Sequence, residues 1–273
     1  SEQGGSSPII RFILGFFVMI GSLMFLGCPL RMILRLGGGD LNAIFGILGF
    51  AGGVGIGTIF LKRGYSLQRT YALSKLESAM MPAIQVALLA LVIIAPAFIL
   101  FSQKGPGSMH APWLISLVAG LVVGGLAQLS RLCTVGGFRD LFLFKKSVLI
   151  FGYIAVLIGV FAVNISFGNF HLGFENQPIA HTVGLWNFLG MALAGFCSVL
   201  LGGCPLRQLI MIGEGNSDSA VTVIGLAAGA AFAHNFGLAA SGAGPTLNGQ
   251  IAVGVGFIVA LVIAILNTKR ANA

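Results

Sequence analysis

The chain contains 273 residues, of which 57% are hydrophobic and only 8% are charged, and its mean hydropathy is +1.00. Soluble domains carry about 25% charged residues, so this composition excludes an ordinary cytosolic enzyme, a disordered protein and a nucleic-acid-binding protein. Several apolar runs reach about 20 residues, the length that crosses a bilayer as a helix. The sequence therefore predicts an all-α integral membrane protein.

Eight segments along the chain are spanning candidates, and they form a single transmembrane domain over residues 1–273. The segments are 9–26, 41–61, 79–101, 113–130, 147–167, 184–202, 220–240 and 249–266.

The net charge of +8 resides mainly in short loops between these apolar runs. There the basic residues set the topology and contact anionic lipid headgroups, so membrane lipids are expected partners. The positive-inside rule places loops 62–78 and 131–146 on the cytoplasmic side, together with the tail that carries Lys269 and Arg270. Alternation then places both termini in the cytoplasm and predicts a multi-pass protein of the inner (plasma) membrane. Four cysteines without zinc-type spacing predict neither a metal site nor a cofactor.

A repeated motif is the most informative feature of the chain. Residues 27–39 read GCPLRMILRLGGG and residues 203–215 read GCPLRQLIMIGEG, with seven identities at an offset of 176 residues. Five predicted spans separate the two copies. Because five is an odd number, the copies enter from opposite faces, which predicts inverted repeats over about 9–101 and 113–266, as in many transporters.

Each copy predicts a helix that is broken at its cysteine, Cys28 or Cys204. Proline has no N–H and biases the preceding residue away from the helical region. A half-helix that begins near the proline presents free N–H groups to an anion, and Arg31 and Arg207 add a permanent charge within one turn. The alternative is a simple kink whose arginines extend to lipid headgroups. The presence of two copies favours an anion site over a simple kink, since irregular backbone at membrane depth is tolerated chiefly where it is buried or lines a cavity.

A third element, SRLCTVGGFRDLFLF at 130–144, predicts another broken or re-entrant segment at Cys133. Arg131 lies two residues before this cysteine. The Arg139–Asp140 pair has a simpler interpretation, in which the two charges neutralise each other at the interface.

Other polar residues are weaker candidates. Cys197 lies on the same helix face as Cys204, although core packing explains it better. His234 and Asn235 fall within predicted span 220–240, where they form either a functional site or a buried pair that bridges helices. The acidic residues of the Gly-rich turns are expected to cap the next helix or to pair with the motif arginines; these residues are Asp40, Glu214 and Asp218.

The three cysteine segments together resemble the signature segments of the YeeE/YedE membrane proteins, and the Cys-Pro-Leu-Arg form resembles the branch associated with selenium metabolism. The resemblance covers essentially the whole chain. It implies uptake of thiosulfate and related sulfur species, or of selenium compounds, with Cys28, Cys133 and Cys204 along the conduction path. A first-half counterpart of the Cys133 element would lie before residue 1, so an N-terminal repeat is expected to be incomplete in this sequence.

These observations predict a passive or weakly coupled importer of a small inorganic sulfur- or selenium-containing anion, with no catalytic residues. One alternative is an enzyme, a membrane-embedded sulfur or selenium transferase whose Cys204 thiol is reachable and of low pKa. Another is a subunit that docks a soluble sulfur-carrier protein through loop 62–78 on the cytoplasmic side. Transport is favoured because the inverted repeat places comparable broken helices on both faces.

Overall fold

The computed structural model describes residues 3–4, 7–67, 71–72, 74–95, 100, 103, 108 and 111–269. Within these residues the regular structure is helical apart from one antiparallel pairing of two-residue strands, β1 (Gln3–Gly4) with β2 (Tyr71–Ala72), and two isolated bridges. The helices are α1 (Pro8–Phe25), α2 (Pro29–Gly37), α3 (Asn42–Lys62), α4 (Lys75–Ile94), α5 (Trp113–Leu129), α6 (Thr134–Phe144), α7 (Val148–Ser166), α8 (Gly184–Leu201), α9 (Pro205–Gly213), α10 (Ser217–Asn235) and α11 (Leu247–Lys269). The predicted all-α class is confirmed.

Six helical segments among the described residues are long and apolar enough to cross a membrane: Pro8–Gly37, Asn42–Lys62, Trp113–Phe144, Val148–Ser166, Gly184–Gly213 and Leu247–Thr268. They establish a multi-pass membrane protein. The apolar part of α4 is limited to Pro82–Ile94, α10 is not among the six, and residues 96–99 and 101 of predicted span 79–101 lie outside the described residues. The count of eight spans therefore stays a prediction.

The predicted helix breaks are confirmed at all three cysteines. Cys28 (φ −77°, ψ 170°) and Cys204 (φ −73°, ψ 164°) are extended, and each precedes a proline that opens a nine-residue helix, α2 or α9. Cys133 (φ −153°, ψ 115°) occupies the same position before the eleven-residue α6. Each cysteine is thus the N-cap of a short helix.

Helices α1 and α8 pack against each other at the centre of the fold. The Arg11 side chain of α1 donates to the carbonyl of Leu201 at the end of α8 (3.4 Å). Further along α1, Gly21 leaves no room for a side chain beside the carbonyl of Gly190, in the first half of α8. Because later residues of α1 meet earlier residues of α8, the two helices are antiparallel.

The helix bounds match the motif offset. Helices α8 and α9 begin and end 176 residues after α1 and α2, since 8–25 becomes 184–201 and 29–37 becomes 205–213. Helix α3 packs along α8 and α10 packs along α1, so each pairing has a counterpart in the other half. These correspondences and the antiparallel contact support the inverted repeat, which as a whole remains a prediction.

A buried ion pair connects the ends of α1, α2 and α3. The Arg35 Nε donates to Asp40 Oδ2 at 2.6 Å, and Arg35 Nη1 donates to the carbonyl of Phe25 at 2.6 Å. The other carboxylate oxygen of Asp40 accepts from the backbone and side-chain nitrogens of Asn42, both at 2.9 Å. Asp40 therefore pairs with a motif arginine and holds the start of the next helix, as predicted.

Replacing this buried carboxylate should destabilise the fold strongly. In Asp40→Asn the Arg35 charge, only 5% exposed, loses its counterion, and we expect a loss of about 3–5 kcal/mol in the free energy of unfolding. Thermal and denaturant unfolding of the detergent-solubilised protein measures this loss of stability.

The matched control is Asp140→Asn. Asp140 pairs with Arg139 at 2.8 Å, but the two side chains are 25% and 33% exposed, so a loss below about 1 kcal/mol is expected. Equal effects of the two substitutions would contradict the role of the buried pair.

Candidate functional site

The three helix-capping cysteines lie around one tyrosine. Tyr153 is the single buried residue of α7 among the residues the structure describes, and it lies within electrostatic range of Cys28, Cys133 and Cys204. Its hydroxyl oxygen is 2.9 Å from Thr134 Oγ1, in the first position of α6. Cys133, Cys204 and Tyr153 thus belong to one buried cluster, and Cys28 lies within electrostatic range of this tyrosine.

Cys133 and Cys204 form the most enclosed part of this site. Their side chains lie against each other, and each thiol also lies near a backbone N–H of the other cysteine's segment. Cys204 is 1% exposed and Cys133 is 7% exposed. The starts of α6 and α9 therefore meet here, and two sulfur atoms lie among the N–H groups of two helix N-termini.

Cys28 lies at the wall of a cavity of about 690 Å³, which we call the α2 cavity. Its Sγ accepts a long bond from the Arg31 backbone N–H (3.5 Å). The remaining wall is formed by α2, the end of α7 and the segment directly after α7. The lining residues are Cys28, Leu30, Arg31, Leu34, Arg35, Gly38, Asp40, Asn164, Asn169, His171, Asn176, Gln177 and Pro178.

Arg207, the counterpart of Arg31, is tethered. Its Nη1 donates to Gln128 Oε1 at 2.7 Å, and its Nη2 lies 3.6 Å from Glu214 Oε1. Gln128 in turn donates to the same Glu214 oxygen. The predicted pairing of Glu214 with a motif arginine is confirmed, whereas Asp218 pairs with Arg11 of α1 (3.3 Å) instead.

Segment 168–183 closes over the ends of α1 and α2. Backbone bonds join His171 N to Gly38 O (2.9 Å) and Leu41 N to Gly173 O (3.0 Å). The buried His181 ring uses both nitrogens, because Nε2 lies 2.8 Å from the carbonyl of Met24 and Nδ1 accepts from Val183 N at 3.3 Å. This arrangement requires a neutral imidazole with its proton on Nε2.

The weaker candidates lie apart from the cysteine site. Cys197 is fully buried in a separate core cluster with Leu14 and Leu193. Arg131 is exposed in the turn between α5 and α6, and Arg139 pairs with Asp140 as predicted.

The predicted bridging pair at His234 and Asn235 is wrong. Both residues are exposed, α10 ends at Asn235 rather than at residue 240, and Asn235 Nδ2 bonds to Ala231 of its own helix.

Sequence reasoning missed Tyr153, Asn164 and Gln128. All three are polar residues inside predicted spans 113–130 and 147–167, and such residues are functional candidates by default. Their partners are distant in sequence, however, so nothing local connects them with the cysteine motifs.

These features define a helical, multi-pass membrane protein whose broken helices meet at buried thiols. A family model described as sulphur transport matches residues 129–269, just over half of the chain. The chain belongs to this family, the YeeE/YedE proteins, as the sequence resemblance predicted. It is also 28% identical over 115 residues to the thiosulfate transporter TsuA of Escherichia coli (strain K12), a match that covers 39% of this chain and 30% of that protein.

The buried His181 should make the fold sensitive to acid. Burial is the main cause that lowers the pKa of His181 below its ordinary value of 6.5. At a pH below 6.5 the unfolded chain therefore binds a proton at His181 that the folded chain does not bind. The free energy of unfolding then falls as the pH drops, by up to about 1.4 kcal/mol per pH unit. Unfolding midpoints at pH 7.5 and 5.5 measure the change.

The comparison variant is His181→Gln, whose amide keeps one donor and one acceptor but does not titrate. We expect a smaller difference between the two pH values than in the unchanged protein. An identical pH dependence in both would show that His181 is not responsible.

Proposed function

We propose that this protein imports a small sulfur-containing anion such as thiosulfate, or its selenium analogue, along a path lined by Cys28, Cys133 and Cys204. The observation that carries the proposal is the contact between the helix starts at Cys133 and Cys204 beside Tyr153, with the helix start at Cys28 within electrostatic range of the same tyrosine. Membership of a family described as sulphur transport supports it. The protein acts in the plasma membrane, with both termini on the cytoplasmic side.

The chemistry of the site fits such a cargo. A dianion must shed much of its hydration shell in a narrow path, and backbone N–H groups at helix N-termini compensate for part of that loss. Thiols contact a soft sulfur or selenium atom without fixing it, since they are weak donors and acceptors. Conduction requires several such weak sites in series. Arg31 and Arg207 attract the anion at the two ends of the path.

The alternative is a sulfur or selenium transferase that uses Cys204 as its nucleophile. It predicts a covalent adduct on Cys204, which alkylation with mass detection would reveal and which transport does not require. No enzymatic step is part of the proposal. A soluble sulfur-carrier protein that accepts the anion on the cytoplasmic side remains compatible with it.

Uptake should depend on the path thiols. In proteoliposomes, labelled thiosulfate, selenosulfate and selenite are offered with and without a proton gradient. We expect saturable flux of one species and a loss of at least about tenfold, equivalent to about 1.4 kcal/mol, in the Cys28→Ser/Cys204→Ser double variant.

Cys197→Ala serves as the control, because Cys197 is as buried as Cys204 but lies in the separate core cluster; the flux through this variant should match that through the unchanged protein. Unchanged flux in the double variant would show that Cys28 and Cys204 do not contribute to transport. Absence of flux from well-folded, unchanged protein would overturn the transport proposal itself.

The Tyr153 hydroxyl should also contribute. Tyr153→Phe keeps the ring that fills the space beside the three cysteines but removes the hydroxyl, and the loss of one hydrogen bond of about 1 kcal/mol predicts a several-fold lower uptake rate. Tyr65→Phe is a matched control, because Tyr65 is similarly buried, at 7% against 6% exposed, but outside this site. Equal uptake by both variants would contradict a role for the Tyr153 hydroxyl.

A further inference from the structure

Gln208 of α9 is a buried amide without a hydrogen-bond partner. Its side chain is 3% exposed, and its Oε1 accepts no hydrogen bond within the described part of the chain. Gln208 and Ile212 are the two buried residues of α9, so the amide lies on the face that α9 turns toward the interior. A buried polar group that lacks a hydrogen bond lowers the stability of a folded protein. The presence of a glutamine here therefore needs a reason other than stability.

The motif itself does not require an amide at this position. The residue at the same offset in the first copy is Met32, which is also unbranched and of similar length. Met32 is fully buried in the cluster that contains Cys133 and Cys204. An apolar side chain thus completes the same turn of the same broken helix in α2. The amide of Gln208 is a chemical difference between the two copies, and not a part of their common backbone design.

The amide of Gln208 lies at the start of α9. Helix side chains lean toward the N-terminus of their helix, and this one reaches back to the break in the chain. A Cβ atom at Gly203 would lie 3.3 Å from Gln208 Nε2. Gly203 directly precedes Cys204, so the amide nitrogen lies beside the helix break that carries the path thiol.

The first turn of α9 is less covered than the first turns of α2 and α6. In those two helices the capping cysteine accepts a hydrogen bond from the first turn, whereas the side chain of Cys204 accepts none by the same criteria. Pro205 has no N–H, so the donors of this turn are the N–H groups of Leu206 and Arg207. A helix N-terminus with open donors favours an anion, and Gln208 Nε2 adds a side-chain donor to it.

We propose that Gln208 is an oxyanion-binding residue at the Cys204 step of the path; this inference rests on the proposed function. Its Nε2 and the first-turn N–H groups of α9 donate to the oxygen atoms of a sulfur or selenium oxyanion, while the Cys204 thiol contacts the soft atom. The site selects an anion that carries both kinds of atom. Because Gln208 is buried, the anion reaches it from within the path. An amide is neutral and holds an anion less strongly than a guanidinium does, as a conducting path requires.

Replacing the amide by methionine separates binding from stability. In proteoliposomes, Gln208→Met should take up labelled thiosulfate at least about tenfold more slowly, because a hydrogen bond to a charged group is lost. The unfolding midpoint of the detergent-solubilised variant should stay the same or rise, because an unpaired buried amide is replaced by an apolar side chain of similar length. A purely structural role predicts instead that uptake falls only when the midpoint falls.

The matched control is Tyr65→Phe, which removes another buried polar group without a hydrogen-bond partner. The Tyr65 hydroxyl belongs to the separate core cluster, and the side chain is 7% exposed. Its midpoint should also stay the same or rise, but its uptake of thiosulfate should equal that of the unchanged protein.

A second variant tests the need for a donor. Gln208→Glu keeps the shape of the side chain but replaces the amide by a carboxyl group that repels the anion when ionised, so uptake should fall at least as far as in Gln208→Met. Unchanged uptake in either variant, or a lowered midpoint in Gln208→Met, would overturn the role of Gln208. If the Cys28→Ser/Cys204→Ser variant loses flux while the Gln208 variants keep it, the proposed function stands and only this inference fails. If the unchanged protein transports neither thiosulfate nor its selenium analogues, both proposals fail.

Discussion

The capping of a helix N-terminus by a cysteine inside the membrane is the interaction on which this structure depends. A backbone N–H without a partner costs several kcal/mol in a hydrocarbon environment, so a helix cannot restart there unless something covers its first turn. At α2 and α6 the first turn is covered by a thiol, at 3.5 Å from Arg31 N and 3.4 Å from Gly136 N respectively. Sulfur is a weak acceptor, so these N–H groups keep part of their capacity to bind an anion.

The two copies of the motif share the broken helix but differ in the charges that come after it. In the first copy Arg35 and Asp40 form a buried pair. The residues at the same offset in the second copy are Met211 and Asn216, and Asn216 Oδ1 keeps only the helix-capping part of the Asp40 role by accepting from Ser219 N (2.8 Å). In the second copy Glu214 binds Arg207 instead, while Arg31 forms no ion pair among the described residues. A symmetrical backbone thus carries an asymmetrical distribution of charge.

The features that the sequence predicted correctly are local ones. Cys-Pro fixes the backbone within two residues, so the breaks at Cys28 and Cys204 and the pairing of Asp40 with a motif arginine lie within reach of sequence reasoning. Tyr153 and Gln128 do not, because their partners are 19 and 79 residues away, at Thr134 and Arg207. The bridging pair predicted at His234 and Asn235 is wrong, because hydropathy extends the span to residue 240 whereas the helix ends at Asn235 and Gly237 follows with a left-handed backbone (φ +64°).

Permanent charge is confined to the two ends of the proposed path. Around Tyr153 the buried cluster contains thiols and apolar side chains such as Phe25, Phe50 and Met191. The charge of Arg35 is neutralised by its ion pair with Asp40. A free guanidinium at this depth would attract a dianion strongly, because Coulomb energies grow as the effective dielectric constant falls. Release would then be slow, whereas conduction requires sites that are weak and multiple. Thiols over half-satisfied N–H groups meet this requirement, which is the physical reason for proposing a path with cysteine at its centre and arginine at its ends.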